Sequence, residues 1–430
     1  MATDVDVQYF SHLNGLTLGN NWGDMIRLLD TCLVNGLPFT SVTSASINAQ
    51  GDITLNLYAA HNAMLFQIVE LTGFSPSEIN GKYRIKGTPT TAQLILKAAH
   101  TGKTIATVGT AKLASLGYEI IFRDANDVKR VYRAKNPTAQ HPFVRIDETI
   151  SDGTNTYNSS YAKSAMVGLI ENMAHIDDYL DPNKLQLPLD TSNFSKNWKI
   201  NGTGTNVVRG WSKWYWATNA FNSSLLSESQ APVAASWGRT FTLSGDKDAF
   251  YLLQNPVGTW EYKILNGCGL FNSALADDVI PNWFLMTTNN SNAASYGFYQ
   301  VDGITPIVGY SDIQKTQFML PTYSVNERIK SHEYAYHLAP SHQSGKSALY
   351  PGNDVPALEI PFYDSGVMSN NVKRLRGSLK HLYYAGKQTN ANQTMPILSG
   401  GSMYITDACF TSNSTQSSYG CVYFYLGELE

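Results

Sequence analysis

Residues 145–179, RIDETISDGTNTYNSSYAKSAMVGLIENMAHIDDY, divide this chain into two unlike parts. The stretch opens as a strand, Val144 and Ile146 on one side and Arg145 and Asp147 on the other. SDGTNTYNSS comes next, made of residues that form turns. Tyr161 to Met173 is a second buried segment, whose Met166, Val167, Leu169 and Ile170 fit either a strand or a helix. Asp177, Asp178, Asp181 and Pro182 end it. Small modules lie before this stretch, and one long aromatic-rich β region lies after it. No set of residues in it has the pattern of a catalytic site.

The chain has 430 residues, a length that suits two to three domains with ordinary cores. Its formal net charge of -3 gives no electrostatic basis for binding nucleic acid or an anionic membrane. Charged residues make up 15% and aromatic residues 12%, with 25 Tyr; Asn, Ser, Thr and Gly take polar positions that Lys and Glu usually hold. Such a composition suits a loop-rich β protein with much of its surface in contacts. Cys32, Cys268, Cys409 and Cys421 form no C-x-x-C pair, so neither a zinc ribbon nor a redox motif is indicated. They read as free buried thiols, with a Cys409–Cys421 bridge across a hairpin as the alternative. The opening MATDVDVQYF lacks the basic and apolar regions of a secretory signal, and no apolar run approaches the ~20 residues of a membrane span. The expected place of synthesis and folding is a cytoplasm, with no membrane partner.

Residues 1–40 form a leading segment. Met25, Leu28, Leu29, Cys32 and Leu33 make an apolar helical stripe, so Trp22 to Val34 reads as one amphipathic helix stopped by Gly36 and Pro38. Residues 41–99 read as a small β-barrel or sandwich. Its strands start at Val42, Ile53, Phe66, Lys82 and Gln93, with turns at Asn48–Asp52 and Asn80-Gly81. Residues 100–180 form the first part of a β-rich body, with paired strands at Leu116–Phe122 and Val128–Tyr132. Residues 181–430 continue it to the C-terminus, with a hairpin at Phe241–Leu243 and Ala249–Gln254 and further strands at Trp260–Leu265, Trp283–Thr287 and Tyr296–Val301. The fold class is mainly β: multi-domain, with few helices, a small barrel or sandwich module near the N-terminus and a larger sandwich-like body.

Four motifs invite a chemical reading. Thr101-Gly102-Lys103-Thr104 is no phosphate loop, because Lys97 stands where that motif needs glycine. His332 and His337 are five residues apart, not the four that set two zinc ligands on one helix face, and Tyr334 and Tyr336 alternate as in a strand or loop. Asp147, Glu148, Asp177, Asp178, Asp246 and Asp248 offer carboxylates for glycoside hydrolysis, but no spacing selects a pair. WSKWYW, with Trp211, Trp214 and Trp216 after Trp198, is either a sugar-stacking platform or a strand whose indoles fill a core or an interface. The basic run Lys373, Arg374, Arg376, Lys380 and His381, interleaved with Leu375, Leu379, Leu382 and Tyr383, reads as pairing between subunits. No catalytic, cofactor-binding or metal-binding residue is named on these grounds, and the chain is not expected to be an enzyme.

The sequence resembles a family of tailed-bacteriophage virion proteins. In the small module the matching pieces are Ala60-His61, Phe66 to Val69, Gly73, Asn80-Gly81-Lys82-Tyr83 and Pro89-Thr90-Thr91. RIDET, SYAKSAMVGLIENM and HIDDY match in the centre. Phe250-Tyr251-Leu252-Leu253 with Gly267 to Asp278 follow, then Leu375-Arg376-Gly377-Ser378-Leu379, Pro396-Ile397 and Gly420-Cys421-Val422-Tyr423-Phe424. The resemblance implies a tail structural protein without cofactor, of the non-contractile sheath type found in short-tailed phages. A baseplate, collar or minor tail protein is the alternative, and a receptor- or glycan-binding adhesin is an alternative of another class. As sheath it would close into a homo-oligomeric ring, sixfold, touching tail tube, baseplate or fibre proteins of the same virion. It would be assembled in the bacterial cytoplasm, which fits unpaired cysteines.

Overall fold

A computed structural model describes residues 4–149, 163–181, 183–189, 200–201, 208–209, 212–217, 239–255, 263–275, 281–289, 316–321, 332–337, 358–364, 375–387, 394–408 and 419–429. The leading segment supplies strand β1 (Gln8–Ser11) and helix α1 (Asp24–Leu29), which runs on into a π-helical turn, Asp30–Asn35. The apolar stripe foretold one helix from Trp22. The α-helix starts two residues later, and its hydrogen bonding widens from Asp30, while Met25, Leu28, Leu29, Cys32 and Leu33 are all buried as the spacing required. Gly36 ends the turn at φ +72°, where a Cβ would lie 2.3 Å from the Leu113 carbonyl oxygen.

A seven-stranded antiparallel sheet comes next. Its strands are β2 (Leu37–Pro38), β3 (Val42–Ile47), β4 (Ile53–Leu57), β5 (Ile68–Thr72), β6 (Gly81–Thr90), β7 (Gln93–Lys97) and β8 (Thr110–Leu113), in the order β2-β8-β5-β6-β7-β4-β3. The sheet thus draws strands from both sides of residues 41–99. Phe66 stands outside β5 because its φ of +68° belongs to a turn. The edge strands β2 and β3 are consecutive in the chain. Flat, seven strands at a spacing of about 4.8 Å would set them about 29 Å apart, yet Pro38 to Val42 spans at most about 14 Å. The sheet must therefore curl into a barrel, closed by residues 39–41, around Ile53, Leu55, Val69, Ile85, Leu94 and Leu96.

The body contains β9 (Tyr118–Arg123), β10 (Lys129–Ala134), β11 (Phe143–Asp147), β12 (Lys163–Ile170), β13 (Gln186–Leu187), β14 (Ile200–Asn201), β15 (Val208–Arg209) and β16 (Ser212–Ala217). It continues with β17 (Phe241–Gly245), β18 (Ala249–Gln254), β19 (Ile264–Leu270), β20 (Asn272–Ser273), β21 (Trp283–Asn289), β22 (Thr316–Pro321) and β23 (His332–His337). β24 (Leu358–Asp364), β25 (Leu375–Lys387), β26 (Met395–Ser399), β27 (Ser402–Ala408) and β28 (Tyr419–Glu428) complete it. The molecule is mainly β, and its ladders are antiparallel. β9, β10, β11, β12 and β16 pair in succession, and β16 joins β21. β1, β17, β18, β19 and β21 also pair in succession; from β21 the path runs through β22, β23, β24, β25, β28 and β27 to β26. The Tyr161–Met173 segment resolves as a strand: β12 is buried along its whole length and pairs Val167 with Ile146 of RIDET.

β17, β18 and β19 are buried at every position, because this sheet is the middle of three layers. Alternation in AFYLLQ divides its side chains between two cores. Ala249, Tyr251 and Leu253 join Leu379, Leu382, Met403, Val422 and Phe424 of the C-terminal sheet. Phe250 and Leu252 join the β10–β12 strands, α1 and the barrel. The strand foreseen at 260–265 begins at Ile264, residues 256–262 lying outside the described set, as does the one foreseen at 296–301. Cys32, Cys268 and Cys421 are free and buried, so Cys421 forms no bridge with Cys409, which lies outside the described residues.

Candidate assembly surface

Many of the described side chains singled out for chemistry are engaged within the fold. Trp214 and Trp216 are fully buried in β16: the Trp214 indole donates to the Met286 carbonyl at 2.9 Å, and Trp216 stacks edge-on against Trp22. These two indoles are core and present no sugar platform; Trp198 and Trp211 lie outside the described residues. His332–His337 is a strand, so its histidines have no helical spacing. Among the described residues no three His, Cys, Asp or Glu converge as a metal site, and no helix is long and apolar enough to cross a membrane.

The carboxylates are committed one by one. Glu148 caps α1, accepting from the backbone N–H of Gly23 and, at 2.8 Å, of Ile26. Buried Asp147 accepts from Arg145 at 3.1 Å and from Thr149 N at 2.8 Å. Asp177 lies 3.5 Å from the Arg145 guanidinium, and Asp178 takes Lys184 Nζ at 2.7 Å. Asp246 and Asp248 form the turn between β17 and β18. Asp248 receives His141 Nε2 at 2.9 Å, Lys247 Nζ at 2.8 Å and Lys380 Nζ at 2.8 Å. His141 Nδ1 accepts from Thr138 N at 2.8 Å, which places the ring proton on Nε2, toward Asp248. Asp246 accepts from Asp248 N, Ala249 N and His381 Nε2. The His141 hydrogen bond, followed by those of Lys247 and Lys380, outweighs burial and holds Asp248 well below the usual carboxylate range. Burial pushes Asp246 up, but His381 and the turn amides outweigh it, and its pKa is also lowered.

Lys380 and His381 thus bind the chain's own β17–β18 turn, which corrects their reading as pairing between subunits. Arg376 is likewise buried and donates to the Pro321 carbonyl at 3.2 Å; Lys373 and Arg374 lie outside the described residues.

A buried polar joint bolts the barrel to the body. Arg84 of β6 spends its guanidinium on four backbone carbonyls: Asp4 (Nε 3.0 Å, Nη2 2.6 Å), Val7 (2.9 Å), Phe66 (2.7 Å) and Leu426 (2.8 Å). Desolvation lowers its pKa to about 10, so it stays charged near neutrality. Gln8 donates to Ile68 O and Ala114 O and accepts from Ile68 N, each at 2.9 Å. Gln67 and Asn14 exchange amide hydrogen bonds of 2.9 and 3.0 Å. N-terminal segment, barrel and last strand share one satisfied network.

Two described surface regions are marked by tyrosine. On the outer face of the C-terminal sheet Tyr383, Tyr404, Tyr423 and Tyr425 stand half-buried, ring centroids 5.4 to 6.5 Å apart. Their signal is in the sequence: Val422-Tyr423-Phe424-Tyr425-Leu426 alternates with every tyrosine on one side, and cross-strand register sets Tyr383 opposite Tyr423 and Tyr404 opposite Tyr425. Glu359 and Glu428 lie on this side of the sheet, Glu428 accepting from the Tyr425 hydroxyl at 2.5 Å and Ser402 Oγ at 2.7 Å. On the barrel, Tyr58 is the most exposed large apolar side chain among the described residues, at 79%. Comparison with models of known families and with curated proteins finds no match for this chain.

Proposed function

We propose that the chain is a structural protein of a bacteriophage tail, assembling into a closed, sixfold ring or sleeve of the non-contractile sheath type around the tail tube. One observation supports this most. The carboxylates and basic residues singled out for chemistry and described here are taken up in internal hydrogen bonds, while a cluster of four tyrosines and the exposed Tyr58 face outward. Tyrosine faces of this kind suit wide contacts between proteins. Ring, baseplate and collar proteins share that requirement; the resemblance of 41–99 and 145–179 to tail virion proteins supports a tail protein, and the sleeve is the form we propose. Its partners would be further copies of itself and the tube, baseplate or fibre proteins, met in the host cytoplasm.

The test is the mass of the purified full-length protein in solution, by light scattering, alone and with tail tube protein. A closed ring in either condition is the expected outcome. A monomer that ignores tube protein but binds host surface polysaccharide overturns the reading in favour of an adhesin.

A further inference from the structure

A lysine and an aspartate meet where the middle sheet faces the C-terminal sheet. Lys263 stands just before β19, and Asp407 lies near the end of β27. Lys263 is 6% exposed and Asp407 1%, and Lys263 Nζ contacts Asp407 Oδ1. Asp407 Oδ2 accepts from Thr242 Oγ1 of β17 at 2.9 Å. That hydroxyl also meets Thr394 Oγ1 at 2.7 Å. Both threonines are buried. So are Leu253, beside Thr242 in the strand register, and Val422, beside Asp407.

A buried ion pair repays its lost hydration only when further hydrogen bonds satisfy both partners. An ammonium has three N–H donors. Among the described residues that of Lys263 finds one acceptor, Asp407 Oδ1. An amide in the same place carries one N–H donor instead of three. Its carbonyl oxygen would be Oδ2, which Thr242 already meets. The fold holds nitrogen and carboxyl together, so their encounter is intramolecular. Burial keeps out the water that would reverse a condensation. Thr242, donating to the oxygen that stays, polarises the carbonyl toward attack. The charges of Lys263 and Asp407 both reach the His12 ring. Burial lowers the pKa of that ring, so it is neutral near neutrality and can relay a proton from nitrogen to the leaving oxygen.

We propose that Lys263 and Asp407 of one chain join in an isopeptide bond. A proton passes from the ammonium to Asp407 Oδ1, and the neutral Nζ attacks Cγ. The Nζ–Cγ bond forms and the Cγ–Oδ1 bond breaks. Oδ1 departs as water, with the proton first passed to it and one more from the amine. No oxidant, reductant or further reactant is consumed. The bond ties the start of β19 to β27 across 144 residues and locks the middle sheet to the C-terminal sheet. It does not depend on assembly, since a monomer would carry it as well.

The test is the intact mass of soluble, full-length protein, unfolded before measurement. Most chains are expected to weigh one water less than their sequence. Lys263→Met is expected to show the full mass of its own sequence. Trypsin gives a second readout, because a joined Lys263 is no longer a cleavage site. Residues 248–315 and 388–430 then come off as one branched peptide, neither segment holding another internal Lys or Arg. Full mass in the wild type, with cleavage after Lys263 and a free 388–430 peptide, overturns the proposal. A missing water that persists in Lys263→Met also overturns it, since the loss then lies elsewhere in the chain.

Discussion

Arg84 shows how much one residue can hold. Its guanidinium satisfies four carbonyls, in buried bonds at Val7, Phe66 and Leu426, and the planar fork reaches three separate segments at once. Arg84→Met leaves those acceptors buried and unpaired, at a cost of at least about 3 kcal/mol. Arg84→Lys recovers little, because an ammonium cannot span them. Urea midpoints of the two variants against wild type decide this. Asp248 gives a pH-dependent counterpart. Its folded pKa lies below the unfolded value near about 3.9, so it adds stability above that pH and loses it as pH falls further. Asp248→Asn is expected to lose about 2 kcal/mol at pH 7. The gap from wild type narrows toward pH 3, and urea midpoints at both pH values are the check. Neither role could be read from sequence. Arg84 in KYRIK looks like any alternating strand residue, and Asp248 like a solvated turn acid, since their partners lie up to 342 residues away.

At the scale of elements, strands were legible where pattern and turn agreed. Ala249–Gln254 and the turn at Asn48–Asp52 fall where residue type demands; at Asn80-Gly81 the turn is a 3-10 turn at Ser77–Ile79 instead, with Asn80 extended and Gly81 opening β6. β12 was ambiguous because a strand buried on both faces has no alternation to show; only its pairing with RIDET resolves it. The tryptophans of β16 left two readings open for the same reason, aromatic side chains serving cores and surfaces alike, and burial decides for the core. α1 depends on a cap it does not own: Glu148, 122 residues from Ile26, closes its first turn. Glu148→Gln is expected to cost about 1–2 kcal/mol, read as a fall in melting temperature. β25 carries His381 at φ +56°, a strained left-handed position held by Asp246. His381→Ala keeps the strain and loses the partner. His381→Gly loses only the partner, and is expected to be the more stable of the two by roughly 1 kcal/mol in denaturant titration.

For the whole molecule, the joint of Gln8, Asn14, Gln67 and Arg84 makes barrel and body one thermodynamic unit. Wild type is expected to melt in a single calorimetric transition, whereas Gln8→Ala combined with Arg84→Met separates barrel from body and gives two. No sequence pattern announced this joint, because buried amides and a buried arginine look like surface residues until the fold surrounds them. β1 completes the body late in another sense. It pairs with Thr242 to Gly245, and the arginine beside it needs the carbonyl of Leu426. On a ribosome adding about 5–20 residues each second, β1 is made roughly 10 to 50 s before its partner β17, and Arg84 waits longer still for the Leu426 carbonyl. Until β17 is made, β1 lacks its ladder partner. The order of synthesis therefore sets an order of locking: β1 pairs only once β17 exists, and the Arg84 joint closes only once Leu426 does.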